Sequence, residues 1–426
     1  MAKYVIVGAS AAGIGAVEAI REVDPVGSIT VISEETCPQY SRPMISDFVS
    51  GKADFHKMKC RADEFWKEHK VDALTNKKAI ALNLTEKTVS LEGGEKVAYE
   101  KLLLATGGKP FVPKMDGSDK DGVFTFTTFK DAERLVEKIE AINAKSAVVI
   151  GAGLIGISVT EALSKRGLKV TLVELQEKIL SLLLDSSASD IVEAIVRRAG
   201  VNIITGQSVL KITGRSGNEG IVGGVLLTKG DQVPCDLVIV AIGVIPRTEL
   251  VVGTEVKINR GIVVDNFMRT NVPDVYASGD VAEAYDFILN QNRLLPLWPL
   301  AVQEGQVAGC NMAGKKTTYI GGTNMSSLKY FGIPIVSIGL ANPKEDPSLE
   351  IMVKQESEHN VYKKLVLRNN VVVGMTLVNC IERAGVLFYL MKNAINVKKI
   401  KQQLLSDEFS LANLPMSLQR KMCVVQ

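Results

Sequence analysis

Short runs of apolar, β-branched residues alternate along this chain with longer stretches whose apolar positions recur at helical spacing. The first run, Tyr4-Val5-Ile6-Val7, reads as a buried strand and enters Gly8-Ala9-Ser10-Ala11-Ala12-Gly13. Ile14, Val17 and Ile20 then predict an amphipathic helix, and Ile29-Thr30-Val31-Ile32 a second strand ending near Glu34. The same order returns further on. Ala147-Val148-Val149-Ile150 enters Gly151-Ala152-Gly153-Leu154-Ile155-Gly156, a helix follows with Val159, Ala162 and Leu163, and Lys169-Val170-Thr171-Leu172-Val173 ends at Glu174. Two more apolar strands run into small residues, one through Leu104 to Ala105-Thr106-Gly107 and one through Ala241 to Ile242-Gly243. Gly261-Ile262-Val263-Val264-Asp265 leads on to Val275-Tyr276-Ala277-Ser278-Gly279-Asp280.

The last third has no glycine-rich loop of this kind. Residues 336–340 and 371–377 read as strands around polar turns such as Asn369-Asn370, with helical periodicity at Leu387, Leu390, Met391 and Ile395. Leu404, Leu405, Phe409, Leu411, Leu414 and Leu418 leave an apolar tail. It can dock on this region as a terminal helix or pack against another subunit.

Composition narrows the class. A length of 426 residues allows two to four domains, and 46% hydrophobic with 23% charged residues fits a folded α/β protein. A net charge of +3 gives no indication of nucleic-acid binding. No apolar run approaches the roughly 20 residues that span a bilayer. Met1-Ala2-Lys3 passes directly into the first strand, which is unlike a signal peptide, so a cytoplasmic protein is expected. Cys37, Cys60, Cys235, Cys310, Cys380 and Cys423 are scattered without C-x-x-C or zinc spacing and read as isolated thiols. His56, His69 and His359 lie outside every motif, and no metal-ligating constellation is expected.

The repeated loop carries the chemistry. In G-x-G-x-x-G the first glycine permits the tight turn, the second lets the backbone approach a pyrophosphate, and the third lets helix and strand pack. Free N–H groups at the helix start face the phosphates. An acid at the end of the next strand accepts ribose hydroxyls, and Glu34 and Glu174 stand at suitable distances. Ser10 replaces the second glycine of the first copy but is small. Glu174 would repel the extra phosphate of NADP, which favours NADH, although Lys169 and Lys178 are near in sequence.

Taken in order, these motifs resemble the pyridine nucleotide–disulfide oxidoreductase superfamily over residues 1–340, closest to its rubredoxin reductase, ferredoxin reductase and NADH oxidase-like branch. The resemblance implies an α/β fold with two Rossmann-like dinucleotide-binding domains and a C-terminal α+β interface domain. It places an FAD domain at 1–113 and 247–320, an NAD domain inserted at 114–246, and the interface domain at 321–426. A homodimer is one arrangement that such an interface serves. The first loop would hold FAD, with Gly8, Ser10, Ala11, Ala12, Gly13 and Glu34, and with Ala105, Thr106 and Gly107 beside them. The second would hold NAD(H), with Gly151, Gly153, Leu154, Ile155, Gly156 and Glu174, and with Ile242 and Gly243.

By the same resemblance, Gly279 and Asp280 meet the ribityl chain of the flavin; the bare alternative for Asp280 is a helix N-cap. Pro299 can open a helix whose N-terminus faces the flavin, with Ala301 in its first turn and Trp298 either beside the ring or in the core. Arg42 and Pro43, in Tyr40-Ser41-Arg42-Pro43, match the segment passing beside the isoalloxazine; otherwise Arg42 is a solvated turn residue.

Departures from the family pattern matter equally. The C-x-x-x-x-C of the disulfide reductases is absent. The single cysteine used by many NADH oxidases, peroxidases and CoA-disulfide reductases falls near Met44, which lacks thiol chemistry. Ser158 stands where many relatives carry a Glu, and Arg247 replaces the Asn of G-x-x-P-N. The expected function is therefore an FAD-dependent NADH oxidoreductase exchanging electrons with an iron–sulfur or rubredoxin-type protein, alone or as the NAD-reactive subunit of a larger complex. The alternatives are an NADH oxidase, peroxidase or CoA-disulfide reductase-like enzyme acting on a small molecule, and a nucleotide-regulated binding protein.

Overall fold

In the computed structural model, which describes residues 2–416 and 419, the chain divides into two compact units. One comprises the chain to Pro113 with Thr125–Asn143 and Ile242–Gly322. The other comprises Lys114–Phe124, Ala144–Ala241 and the chain from Thr323.

The first unit is built on a parallel sheet in the spatial order Val71–Leu74, Ile29–Ile32, Ala2–Val7, Lys96–Leu104. Val275–Ala277 pairs with Leu102, Leu103 and Leu104, while the hairpin Ala79–Asn83 and Thr88–Leu91 takes the earlier part of the same long strand. The central strands are apolar without alternation because both faces are covered: Val5, Ile6, Leu102 and Leu103 are fully buried. Parallel register brings Gly8, Ser33, Ala105 and Ser278 to one edge, where ligands of open α/β sheets bind.

Two helices, Ala11–Val23 and Trp298–Met312, cross one another beside this sheet at backbone contact. A Cβ on Gly305 would lie 2.0 Å from the Ala12 carbonyl oxygen, and one on Gly309 2.5 Å from that of Ala16. A Cβ on Gly15 would lie 2.6 Å from the Val302 carbonyl oxygen. The crossing leaves room for hydrogen alone.

The second unit repeats the parallel plan with Asn202–Ile204, Lys169–Val173, Ser146–Ile150 and Leu237–Val240. A five-stranded antiparallel sheet belongs to the same unit, ordered Met325–Tyr330, Ile333–Gly339, Val371–Val378, Val361–Arg368, Leu349–Glu356. The strands expected at 336–340 and 371–377 are two of these. Asn369 and Asn370 have φ of 53° and 60°, the paired left-handed conformation of a tight hairpin turn. Leu387, Leu390 and Met391 face inward from the helix Ala384–Lys392, but Ile395 lies beyond its end, after Ala394 turns left-handed at φ 47°.

The tail packs on its own unit. Leu404, Phe409 and Leu414 are buried, and Asp407 pairs with Lys354 at 2.6 Å and with Lys363. Between Lys401 and Asn413 it runs through two short 3-10 turns, Lys401–Gln403 and Leu411–Asn413. Leu418 and Cys423 lie outside the described residues.

Because Gly305 meets backbone and not a flexible side chain, Gly305→Ala must push the two helices apart. Urea denaturation is expected to show a loss of about 1–3 kcal/mol or more. Unchanged stability would mean that the contact is looser than the geometry shows.

Candidate functional site

The first loop is built as the sequence requires. Gly8 has φ of 115°, and a Cβ there would strike the Ala105 carbonyl oxygen at 2.0 Å. A Cβ on Gly13 would strike the Gly8 carbonyl oxygen at the same distance. These contacts pull the first turn of Ala11–Val23 onto the sheet edge and direct the N–H groups of Ala11, Ala12 and Gly13 outward from the helix end. Ser10 is the N-cap residue, and its side chain makes no capping hydrogen bond. Gly279, at φ 76°, approaches the same turn: its Cβ position lies 3.2 Å from the Ala12 Cβ and 3.5 Å from the Ala301 Cβ. Two helix N-termini and the Gly279-Asp280 turn therefore converge. Pro299 is the second residue of its helix, as expected, and Trp298 is half-buried against the apolar core.

Asp280 does not cap a helix. It sits within the short turn Gly279–Val281, capped by Ser278, and its carboxylate accepts no hydrogen bond from another described residue. Burial raises its pKa, partly countered by the charge of Arg42. Behind it lies Glu304, 2% exposed, whose Oε2 accepts the Gly279 N–H at 2.8 Å. Burial, opposed by that N–H and reinforced by the neighbouring Asp280, pushes the Glu304 carboxyl up to about 8. The acid is neutral at pH 7.

Arg42 is not a solvated turn residue. Its guanidinium donates from Nη1 to the Thr127 carbonyl at 3.1 Å, from Nη2 to Glu35, and from Nε to the Ser10 hydroxyl at 3.4 Å. The other oxygen of Glu35 accepts the Tyr40 hydroxyl at 2.6 Å, and that hydroxyl accepts the Phe129 N–H at 2.8 Å. Arg42 is thus held over the phosphate loop, and Pro43 sits in the following 3-10 turn, Arg42–Met44. Glu34 is exposed and pairs with Arg247, the residue that departs from the family pattern. Arg247 also accepts the Thr106 hydroxyl on its carbonyl at 2.8 Å and donates its N–H to Gly107 at 2.9 Å. One residue therefore ties the Glu34 and Thr106-Gly107 ends of the site together.

The second loop follows the same rules. Gly151 has φ of 101°, and a Cβ on Gly156 would lie 1.8 Å from its carbonyl oxygen. Nothing lies within 4 Å of the Cβ position of Gly153, which caps the helix Leu154–Lys165. Leu154 and Ile155 form its first turn. Glu174 accepts the Ala152 N–H at 2.6 Å and the Gln176 N–H at 2.8 Å, so its carboxylate stands against the loop itself. The charge of Lys178 is turned away to Asp190. Gly243, at φ 149°, accepts the Phe111 N–H, and Ile242 beside it is 42% exposed.

No described cysteine stands where a flavin-linked thiol is expected. Met44 is the N-cap of the helix Ile45–Val49. Cys60 is raised in pKa by burial, Cys235 is pushed up to about 12 and Cys380 to about 11, so none of these three is a thiolate near pH 7. Glu304, Glu35 and the glycines 305 and 309 went unread in the sequence. The spacing Gly305-x-x-x-Gly309 was the available signal for a close helix crossing.

Residues 2–305 match the pyridine nucleotide-disulphide oxidoreductase family, and 325–395 match the rubredoxin NAD+ reductase C-terminal domain. The chain belongs to the pyridine nucleotide-disulphide oxidoreductase family. It is 31% identical to the NADH-dependent phenylglyoxylate dehydrogenase subunit epsilon of Aromatoleum evansii, over 97% of each chain. It is 30% identical to an NADH oxidase of Methanocaldococcus jannaschii, over 98% of this chain and 97% of that one. The structure of NADH:rubredoxin oxidoreductase from Clostridium acetobutylicum superposes with a TM-score of 0.77 at 25% identity, covering 93% of this chain and 97% of that one.

Membership makes the chain an FAD-dependent NAD(P)H oxidoreductase with FAD and NAD(H) as cofactors. The residues fit both. Each loop has a backbone cradle that a Cβ would fill, and Asp280 offers a carboxylate that accepts no hydrogen bond from another described residue. No helix among the described residues is long and apolar enough to cross a membrane.

Glu304 generates a pH prediction. Its carboxyl keeps a proton in the folded chain up to about pH 8, while an unfolded Glu ionises near 4.3. Its contribution to stability is thus full below pH 4 and lost as pH rises toward 8. Glu304→Gln keeps an acceptor for Gly279 without a titrating group. Its stability should gain on wild type steadily from pH 5 to pH 8, to an advantage on the order of a few kcal/mol, read as a melting-temperature difference that widens with pH. Parallel melting curves across that range would show that Glu304 is ionised throughout.

Proposed function

We propose that this chain takes electrons from NADH at the second loop and delivers them singly, through FAD at the first, to an iron–sulfur or rubredoxin-type protein. FAD supplies the conversion of a two-electron hydride donor into a one-electron donor. In this reading residues 1–113 and 247–320 form the FAD domain and 114–246 the inserted NAD domain.

The observation that carries the proposal is Met44 at the start of the helix Ile45–Val49, where the thiol-dependent enzymes of the family need a cysteine. With methionine at that position, the thiol relay of those enzymes has no counterpart there. The chain's own residues bind, orient and neutralise. Gly8, Gly13 and the helix starts at Ala11 and Trp298 present N–H groups to phosphate and flavin. Arg42, fixed by Glu35 above Ser10, adds positive charge at the phosphate loop. Asp280 accepts ribityl hydroxyls. Glu34 and Glu174 take the adenosine riboses, and the carboxylate of Glu174 favours NADH over NADPH.

The full-length similarity to a subunit of an NADH-dependent dehydrogenase supports the sharper form, in which this chain is the NAD-reactive subunit of a larger cytoplasmic complex. The similarity to an NADH oxidase favours a second reading, direct reaction with oxygen. Anaerobic reduction with NADH followed by addition of acceptors separates the two. Reoxidation by a rubredoxin or iron–sulfur protein should be at least tenfold faster than by oxygen, and Cys37→Ser with Cys60→Ser should leave that rate unchanged. Fast reoxidation by oxygen alone would sink the electron-transfer reading.

A further inference from the structure

The antiparallel C-terminal sheet is fastened to the second nucleotide loop at several points. Tyr330, 8% exposed, donates its hydroxyl to the carbonyl of Leu154 at 3.0 Å. Leu154 is the first residue of the helix that follows Gly153. The neighbouring Phe331, strained at φ 49°, donates its N–H to Glu161 of the same helix at 3.0 Å. The sheet, with the loop that follows its strand Ile333–Gly339, also grips the segment 180–185. Ser337 donates to the Leu183 carbonyl at 2.9 Å, and Asn342 to those of Ser181 and Leu184 at 3.1 and 3.0 Å. Tyr362 and Lys364 close on Asp185 at 2.6 and 2.8 Å.

This segment in turn touches the loop. Leu180 donates its N–H to the carbonyl of Ala152, between Gly151 and Gly153, at 2.9 Å. To do so it adopts φ of 52°, a left-handed conformation unfavourable for leucine. Such strain persists only where surrounding contacts over-determine it. Here the contacts come from Asn342 and Ser337 on one side of Leu180 and from Ala152 on the other.

We infer that the C-terminal sheet is the outer support of the NAD(H) site, with Tyr330 and Asn342 as positioning residues. Tyr330 fixes the first turn of the helix, and Asn342 fixes the 180–185 segment that holds the Ala152 carbonyl. The inference rests on the reading above that the second loop takes NAD(H). It gives the C-terminal module a role in nucleotide affinity in addition to any role as an interface.

The test uses the FAD-loaded full chain and NAD+, which does not react with oxidised flavin. Calorimetric Kd values are measured for wild type, Tyr330→Phe, Asn342→Ala and the double variant. Asp407→Ala is the control, because it loosens the same sheet where Lys354 and Lys363 meet the tail. The double variant should bind NAD+ about 5- to 30-fold more weakly. KM for NADH should rise by more than kcat falls, with FAD content unchanged and the control near wild type. By reciprocity, NAD+ should slow hydrogen exchange at the Tyr330-Phe331 turn in wild type. If the double variant does not fold, Tyr330→Phe alone carries the test with a severalfold loss. A folded double variant with unchanged Kd overturns the inference and leaves the second loop as an NAD site. Wild type that binds no NAD+ overturns that reading instead, and the inference with it.

Discussion

The helices Ala11–Val23 and Trp298–Met312 touch backbone to backbone, and the geometry of the first unit's site depends on that contact. A side chain at Gly305 would occupy the Ala12 carbonyl oxygen, and one at Gly15 the carbonyl oxygen of Val302. The contact brings two helix N-termini to one place, with the turn at Gly279 wedged against Ala12 and Ala301. Each N-terminus carries unpaired N–H groups and a partial positive charge. A ligand bearing phosphates at one end and a ring that becomes anionic on reduction suits such a pair. The helix starts at Ala11 and Trp298, 287 positions apart in sequence, are thereby brought to one place.

What could be read from the sequence follows from how local each constraint is. The loops at Gly8 and Gly151 were legible because a strand, a glycine turn and a helix are consecutive, and the glycines answer to atoms a few residues away. The acid at the end of the following strand was legible for the same reason. The roles of Arg42 and Asp280 were open between two readings. The structure removes the bland reading of each: the Arg42 guanidinium is held over Ser10 by Glu35 and Thr127, and Asp280 lies inside a short turn that Ser278 precedes as N-cap. The partners of Arg42 are not adjacent to it in sequence. Leu180 is the extreme case, since left-handed backbone normally announces itself through glycine or asparagine. Nothing about a leucine in Lys178-Ile179-Leu180-Ser181 signals it.

The two glycine loops share a plan and differ in how they are held. At the first, Arg42 reaches across from a separate segment and Arg247 draws Glu34 into an ion pair. At the second, Glu174 turns back onto Ala152, and the remaining support arrives from the C-terminal sheet. A ligand that stays bound through many turnovers benefits from a site braced by charge and by deep packing. One that must enter and leave each cycle needs a loop whose support can yield. Beside the Lys364–Asp185 ion pair, the support of the second loop comes in single hydrogen bonds from Tyr330, Ser337 and Asn342, each worth about 1 kcal/mol net. Those are of a size that binding energy can reorganise.

Charge placement around Asp280 points the same way. The region holds Asp280, Glu304 and Glu34 against Arg42 and Arg247, and a flavin bound there, as proposed, would add a further negative charge on reduction. An ionised Glu304 would oppose that charge from within the core, where screening by water is least. Burial instead keeps it protonated near neutral pH, while it still accepts the Gly279 N–H and so fixes the peptide that presents Asp280. The carboxyl therefore gives positional control without electrostatic opposition. A glutamine could do the same, which means that the acid itself matters only where its proton can be lost. Burial sets that threshold well above the ordinary carboxyl range, so the charge of the region is governed by packing and not by the bare acidity of Glu304.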